Sequence, residues 1–245
     1  MSEIERKLQR ILLPLDVSRD SLTALEIAFD LAASLGGEIS GLFIEDAELL
    51  LAGSLPFARE VGSLSGIRRQ IGSDDIEHRF RAVASKARQA ILEAGERLKV
   101  RSSFRVARGE VPAEILTAAM EADLVILGKT GWSAGGFRRP GSTCLTILSR
   151  SRIPVLIVER GAKLSPPVLA VNDGTPAGRR ALDFGRALSR HLGWETAVFS
   201  AQGMAHGEDV LRNMPWDKPH LVVLPSSLPF SGHAFELKCP ILFVP

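Results

Sequence analysis

Arg10-Ile-Leu-Leu-Pro-Leu-Asp16 is a short apolar run that ends on an acid. Behind it Ser18 and Asp20 are candidate caps for a helix whose apolar residues Leu22, Leu25, Phe29, Ala32 and Leu35 recur at helical spacing. Gly36-Gly37 stops that helix, and Glu38 to Asp46 (EISGLFIED) reads as a second strand, again closed by acids. The unit is βαβ.

The pattern continues. Asp74 and Asp75 open a helix with the apolar stripe Ile76, Phe80, Val83, Ala87, Ile91, Ala94 and Leu98, and Ser102 to Ala107 supplies a strand. Pro112 sits in the first turn of the next helix, where its missing N–H costs nothing, and Ile115, Leu116, Ala119 and Met120 form that helix's expected buried face. Leu124 to Leu127 and Pro154 to Val158 are continuously apolar. Such strands alternating with helices imply an α/β fold with a parallel sheet covered on both faces. The segment Ala47 to Gly72 is too long for an idle connection. It reads as a lid, a docking surface, or an excursion whose leucines form a short helix packed on the second half of the chain.

The apolar run Leu124 to Leu127 feeds the stretch GKTGWSAGGFRRPGST, Gly128 to Thr143, with the spacing G-x2-G-x9-G-S-T. Gly128 and Gly131 let backbone approach an anion, and Gly141-Ser142-Thr143 would present N–H groups and hydroxyls at a helix N-terminus, where the dipole favours negative charge. Gly128-Lys129-Thr130 mimics the end of a Walker A motif, but Asp123 stands where its first glycine belongs, so a P-loop NTPase is disfavoured. Lys129, Arg138 and Arg139 either neutralise phosphate or simply solvate a basic loop. Trp132 and Pro140 are the residues able to reshape the pocket.

The second half echoes the first. Laid without gaps, Ile11 to Asp46 falls on Val168 to Gly203, placing Asp16 on Asp173, Ser18 on Thr175 and Leu35-Gly36 on Leu192-Gly193. Leu124-Val-Ile-Leu127 also matches Leu221-Val-Val-Leu224, and Pro154-Val-Leu-Ile-Val158 matches Pro240-Ile-Leu-Phe-Val244. The second copy is pruned, however, by about a helix, a strand and a long loop. Pro225 stands where Gly128 does, without a glycine loop behind it. Two domains, 1–161 and 165–245, and one ligand site per chain are the expectation.

Composition narrows the partners. With 30 basic and 28 acidic side chains the net charge is +2, too balanced to argue for nucleic acid. The N-terminus has no apolar signal region, and no segment reaches the roughly 18 apolar residues of a spanning helix, so no membrane association and a cytoplasmic location are expected. The two cysteines, Cys144 and Cys239, belong to no metal or nucleophile motif, which fits a reducing compartment. The five histidines show no paired spacing and there is no G-x-S-x-G elbow, so neither a metal centre nor covalent catalysis is supported.

Leu13-Pro-Leu-Asp16, Phe43-Ile-Glu-Asp46, Gly109-x-x-Pro112, Asp123 to Gly128, the glycine loop and Pro154 to Val158 together resemble the universal stress protein family, in a tandem form with one complete and one degenerate domain. The resemblance implies a five-stranded parallel sheet and membership of the ATP-binding branch, which the glycine loop marks. It implies that Asp16, with Pro14 and Leu15 before it, meets the ribose or base side, and that Ile44 offers backbone contacts to adenine. Leu127, Gly128, Thr130, Gly131, Gly141, Ser142 and Thr143 would hold ribose and phosphates. The implied ligand is ATP, ADP or AMP, and a Mg ion could bridge the phosphates although no dedicated cage is present. Family domains also pair through their last strand, so Pro154–Val158 and Pro240–Val244 should pair within the chain as a pseudo-dimer, with a homodimer conceivable beyond that.

Three functions compete. One is a stress-response protein whose nucleotide occupancy sets its affinity for an unknown protein partner, with slow hydrolysis at most, because no catalytic base stands beside the loop. A second is a ligand-free adaptor with a vestigial loop, and the third is an ATP-dependent enzyme.

Overall fold

The computed structural model describes residues 8–62, 65–130, 141–204, 209–210, 213–214, 221–228 and 239–245. Strand β1 (Arg10–Pro14) leads into helix α1 (Arg19–Leu35) and strand β2 (Glu38–Asp46). Helix α2 (Ala47–Gly53), a hairpin of β3 (Arg59–Val61) and β4 (Arg68–Gln70), and the long helix α3 (Ser73–Leu98) precede strand β5 (Ser102–Gly109). Then come α4 (Val111–Ala119), β6 (Leu124–Gly128), α5 (Ser142–Arg150) and β7 (Val155–Val158). The second half contributes β8 (Val168–Asn172), α6 (Pro176–Leu192), β9 (Thr196–Ser200), β10 (Leu221–Pro225) and β11 (Ile241–Val244).

Local chemistry sets the helix ends. Ser18 caps α1 by accepting the Ser21 N–H at 3.2 Å, and Gly36 closes it in the left-handed region at φ 66°. Their counterparts behave alike: Thr175 caps α6 by accepting the Gly178 N–H at 3.0 Å, and Gly193 closes that helix at φ 67°. Asp20, read from sequence as an alternative cap, does something else, described below. At α3 the Asp75 carboxylate accepts the Gly72 N–H at 3.0 Å, which holds the expected acidic helix start.

Nine strands form one sheet in the order β5-β2-β1-β6-β7-β11-β10-β8-β9. Strands β5, β2, β1, β6 and β7 are mutually parallel and make the expected five-stranded unit. Strands β11, β10, β8 and β9 are also parallel, and the two sets meet where β7 and β11 pair antiparallel, as the duplicated sequence led us to expect. Their register places Ile241 opposite Ile157, Leu242 opposite Leu156 and Phe243 opposite Val155. Leu156, Val158, Leu242 and Val244 enter one core with α1, α3 and α6, while Val155, Ile157, Ile241 and Phe243 enter the other with α4 and α5. Each core therefore runs through both halves.

Two expectations are corrected. Met120, expected on the buried face of α4, is 85% exposed because the helix has already ended there, and Ala118 takes the inward position. Among the described residues, the segment 47–72 packs on the first half of the chain rather than the second. Its helix α2 lies against α3, β2 and β5, with Leu50 beside the small cluster of Phe43, Ile76 and Phe80.

The hairpin is tied down electrostatically. Glu60 receives Arg79 through paired contacts at 2.7 and 2.9 Å and Arg69 at 2.8 Å. Hydrogen bonding to Arg79 first, and then to Arg69, lowers the Glu60 carboxyl from 4.5 to about 2.

Removing the side chain at the junction through Leu242→Ala should cost about 2–5 kcal/mol and lower the stability of both halves in one transition, since the core is continuous; chemical denaturation followed by circular dichroism checks this. The depressed Glu60 group stabilises the hairpin above the unfolded value of 4.5, and that contribution is lost as pH falls through about 2. Amide protection factors at residues 59–61 and 68–70, taken relative to the intrinsic exchange rate at each pH, should fall across that window and stay flat in Glu60→Gln.

Candidate functional site

Strands β1 and β6 are neighbours, yet β1 connects toward β2 on one side and β6 toward β7 on the other. This divergence opens a crevice beyond their carboxyl ends, where parallel sheets bind ligands. Pro14, Leu15 and Asp16 end β1 there, and Leu127 and Gly128 end β6 beside it.

The turn after β1 is strained. Asp16 accepts the Ser18 N–H on Oδ1 at 3.0 Å, and between them Val17 is held at φ 60°. A β-branched residue in the left-handed region costs of order 1–3 kcal/mol, so the surrounding contacts must impose it. Such strain concentrates at functional turns.

Gly128 has no room for a side chain. A Cβ on it would lie 2.8 Å from the Ser21 nitrogen and 2.9 Å from the Asp20 carbonyl carbon, so β6 ends directly against the first turn of α1. Asp20 locks the contact. Its buried carboxylate, 7% exposed, accepts both the Thr130 N–H at 3.0 Å and the Thr130 hydroxyl at 2.6 Å. Thr130 thus anchors the glycine loop to α1. Lys129 is also buried, at 4% exposure, with its Nζ 2.9 Å from Glu159, which removes the reading of a solvated loop lysine.

The loop closes on itself because the Gly141 N–H donates to the Lys129 carbonyl at 3.1 Å. Gly128–Thr130 and Gly141–Thr143, distant in sequence, are thereby brought together. Gly141 is the N-cap residue of α5 and has no side chain with which to cap that terminus. The N–H groups of the first turn face the crevice end of the sheet, where the dipole favours an anion. Gly131, Trp132, Arg138, Arg139 and Pro140 lie outside the described residues.

Strand β2 supplies the third wall. Its pairing with β1 ends at Pro14 opposite Leu42, while its pairing with β5 continues to Asp46. The Leu42 carbonyl points toward β1, where it accepts the Leu15 N–H at 2.9 Å. Alternation along the strand turns the N–H and C=O of Ile44 to the same side, past the end of β1. Ile44 therefore offers the crevice one donor and one acceptor of the main chain. The Leu127 side chain, in contrast, is buried in the core on the α4 side, so only its backbone borders the crevice.

Burial pushes Cys144 up to about 12 and Cys239 up to about 11, so both stay protonated near neutrality. Among the described residues no group of three or more His, Cys, Asp or Glu side chains could hold a metal ion. Two described cavities, of about 260 and 560 Å³, lie at the opposite, amino-terminal edge of the sheet, and Arg10, Glu38 and Arg101 border both. They have no part in the crevice at the carboxyl ends. Sequence reasoning missed Val17, the Asp20 anchor and Glu159; their partners are remote in sequence, and no local motif announces such contacts.

The family model described as the universal stress protein family matches residues 7–159. No curated protein sequence matches the chain. Among solved structures, a universal stress protein from Archaeoglobus fulgidus DSM 4304 is 18% identical with a TM-score of 0.68, the alignment covering 96% of this chain and 97% of that one. A functionally unknown protein from Pseudomonas aeruginosa PAO1 is 12% identical with a TM-score of 0.58, covering 99% of this chain and 94% of that one. Another similar structure is a universal stress protein in complex with cAMP, 20% identical over 63% of this chain and 98% of that one, with a TM-score of 0.42.

Substituting Gly128→Ala forces its Cβ into the α1 backbone, and Asp20→Ala strands the Thr130 amide. Each should lower stability by about 1–3 kcal/mol in thermal unfolding and increase exchange of the Thr130 amide.

Proposed function

The chain belongs to the universal stress protein family, and from that premise we propose that this stress-response protein binds one adenine nucleotide, ATP or its di- or monophosphate, at the crevice between β1 and β6. The observation that carries the reading is the convergence of three sequence-distant elements on that crevice. They are the strained Asp16-Val17 turn, the closed loop from Gly128 to Gly141, and the free-facing backbone of Ile44.

Each element has a chemical counterpart in the ligand. An adenine edge presents one donor beside one acceptor, which the Ile44 C=O and N–H would complement. Asp16 at the strand end suits ribose hydroxyls, which donate to a carboxylate. The α5 N-terminus, with Ser142 and Thr143 in its first turn, suits the phosphates, as do the glycines that let backbone approach them. Thr130 serves through its anchor on Asp20, which fixes where the loop leaves β6. A Mg ion would be held largely by the phosphates, since the described residues provide no carboxylate cage.

Residues 1–161 act in this reading as the complete domain and 165–245 as a truncated, degenerate copy that retains the fold. Asp173 repeats the turn of Asp16, accepting the Thr175 N–H at 2.9 Å, but the strand before it is flanked by Pro225 rather than a glycine loop. One site per chain follows. Hydrolysis is slow because ground-state phosphate binding alone does not lower the barrier, and occupancy acts by setting affinity for a protein partner.

Native mass spectrometry of the purified protein, with thermal shift in ATP, tests the proposal. A bound adenine nucleotide is expected, and at about one hundred times Kd the ligand should stabilise the fold by about 2.7 kcal/mol. Asp16→Asn, which keeps an acceptor for the Ser18 N–H, should reduce that shift with little loss of unliganded stability. The absence of both bound nucleotide and any shift at millimolar ATP would overturn the reading and leave a ligand-free adaptor.

A further inference from the structure

Six of the twelve exposed large hydrophobic residues in the described structure fall between positions 49 and 67: Leu49, Leu51, Leu55, Phe57, Val61 and Ile67. Scattered single exposures are ordinary, but such concentration in one excursion marks a contact surface. Phe57 is 75% exposed, Leu51 69% and Ile67 68%, so these side chains stand out from the surface rather than line a groove.

The hairpin pairing shows how charge joins them. Arg59 lies opposite Gln70, Glu60 opposite Arg69 and Val61 opposite Arg68. Alternation puts Glu60 and Arg69 on one face, which Arg79 of α3 holds inward. Arg59, Val61, Arg68 and Gln70 share the other, outward face. Gln70 also donates to the Pro56 carbonyl at 3.4 Å, which brings the turn carrying Leu55 and Phe57 alongside. That outward face thus sets Val61, with the turn carrying Leu55 and Phe57, beside two arginines, and none of its four strand residues is a carboxylate; Ile67 alternates to the Glu60 side.

We propose that this outward face of the hairpin and its adjoining turn, residues 55–61 and 68–70, docks on an anionic lipid surface. Projecting apolar side chains ringed by arginine fit insertion at a headgroup boundary, with the guanidinium groups on lipid phosphates. A second copy of the chain is a poorer occupant, because an isologous contact would press this cationic face, with Arg59 and Arg68, against an identical cationic face. The face departs from the expectation, drawn from the lack of an apolar signal region or long apolar segment, that membranes play no part, because a peripheral contact needs neither. Docking here is peripheral, since no described helix is long and apolar enough to cross a membrane.

Sedimentation of the full chain with phosphatidylglycerol–phosphatidylcholine vesicles, against phosphatidylcholine alone, tests this without nucleotide, so its failure would leave the nucleotide reading untouched. Binding to the anionic vesicles only, and its loss at high salt, is expected. Each arginine contributes about fivefold to partitioning, so Arg59→Glu with Arg68→Glu should weaken binding by at least about 25-fold. Phe57→Ser with Val61→Ser should also abolish most of it, while the remote control Met120→Ser binds normally. All these side chains are exposed, and unchanged circular dichroism would verify that the variants fold. Absence of binding, or full binding by the arginine variant, overturns the proposal. So does a dimer in sedimentation velocity that Phe57→Ser dissolves while vesicles go unbound, or binding of an acidic amphipathic peptide without vesicle binding; these assign the face to a second copy or a protein.

Discussion

The antiparallel pairing of β7 with β11 is the constraint on which the rest of the molecule depends. Both strands are apolar on both faces and four residues long, and each would be an exposed sheet edge without the other. Their union merges two parallel sets into one sheet and carries both cores across the junction. The register is strongly specified, because a slip of one residue would exchange Leu156 and Leu242 with the side chains of the opposite core.

The carboxyl edge of the first five strands is organised by a second contact, the first turn of α1 against the end of β6. Gly128 permits the approach, Asp20 secures Thr130, and Thr23 accepts the Gly161 N–H at 3.2 Å after β7. One helix N-terminus therefore fixes the ends of two neighbouring strands and the entrance of the glycine loop. The strain at Val17 persists because this turn is held at both sides. The proposed nucleotide site lies where the packing of α1 leaves backbone groups oriented at this edge.

Much of this was legible in the sequence because it rests on local rules. Apolar periodicity located α1, α3 and the strands, Gly36 and Gly193 marked helix ends, and the overlay of Ser18 on Thr175 found two residues with the same capping role. The glycine spacing identified which segments would meet at the crevice. What escaped notice depends on groups remote in sequence. Asp20 looks like a helix cap until Thr130 is placed beside it, Lys129 looks like a solvated loop lysine until Glu159 buries it, and Met120 looks like core until α4 ends one residue early.

The sequence by itself determined the α/β class, the βαβ order, the family and the place of the glycine loop, because strand and helix periods and left-handed glycine caps follow from residues near one another. Only the tertiary structure decided that Thr130 is held by Asp20, that Ile44 turns its backbone toward the crevice, and that Arg59 and Arg68 share an outward face with Val61. Those outcomes depend on register and on which strand ends first, quantities set by packing among distant segments rather than by any local pattern.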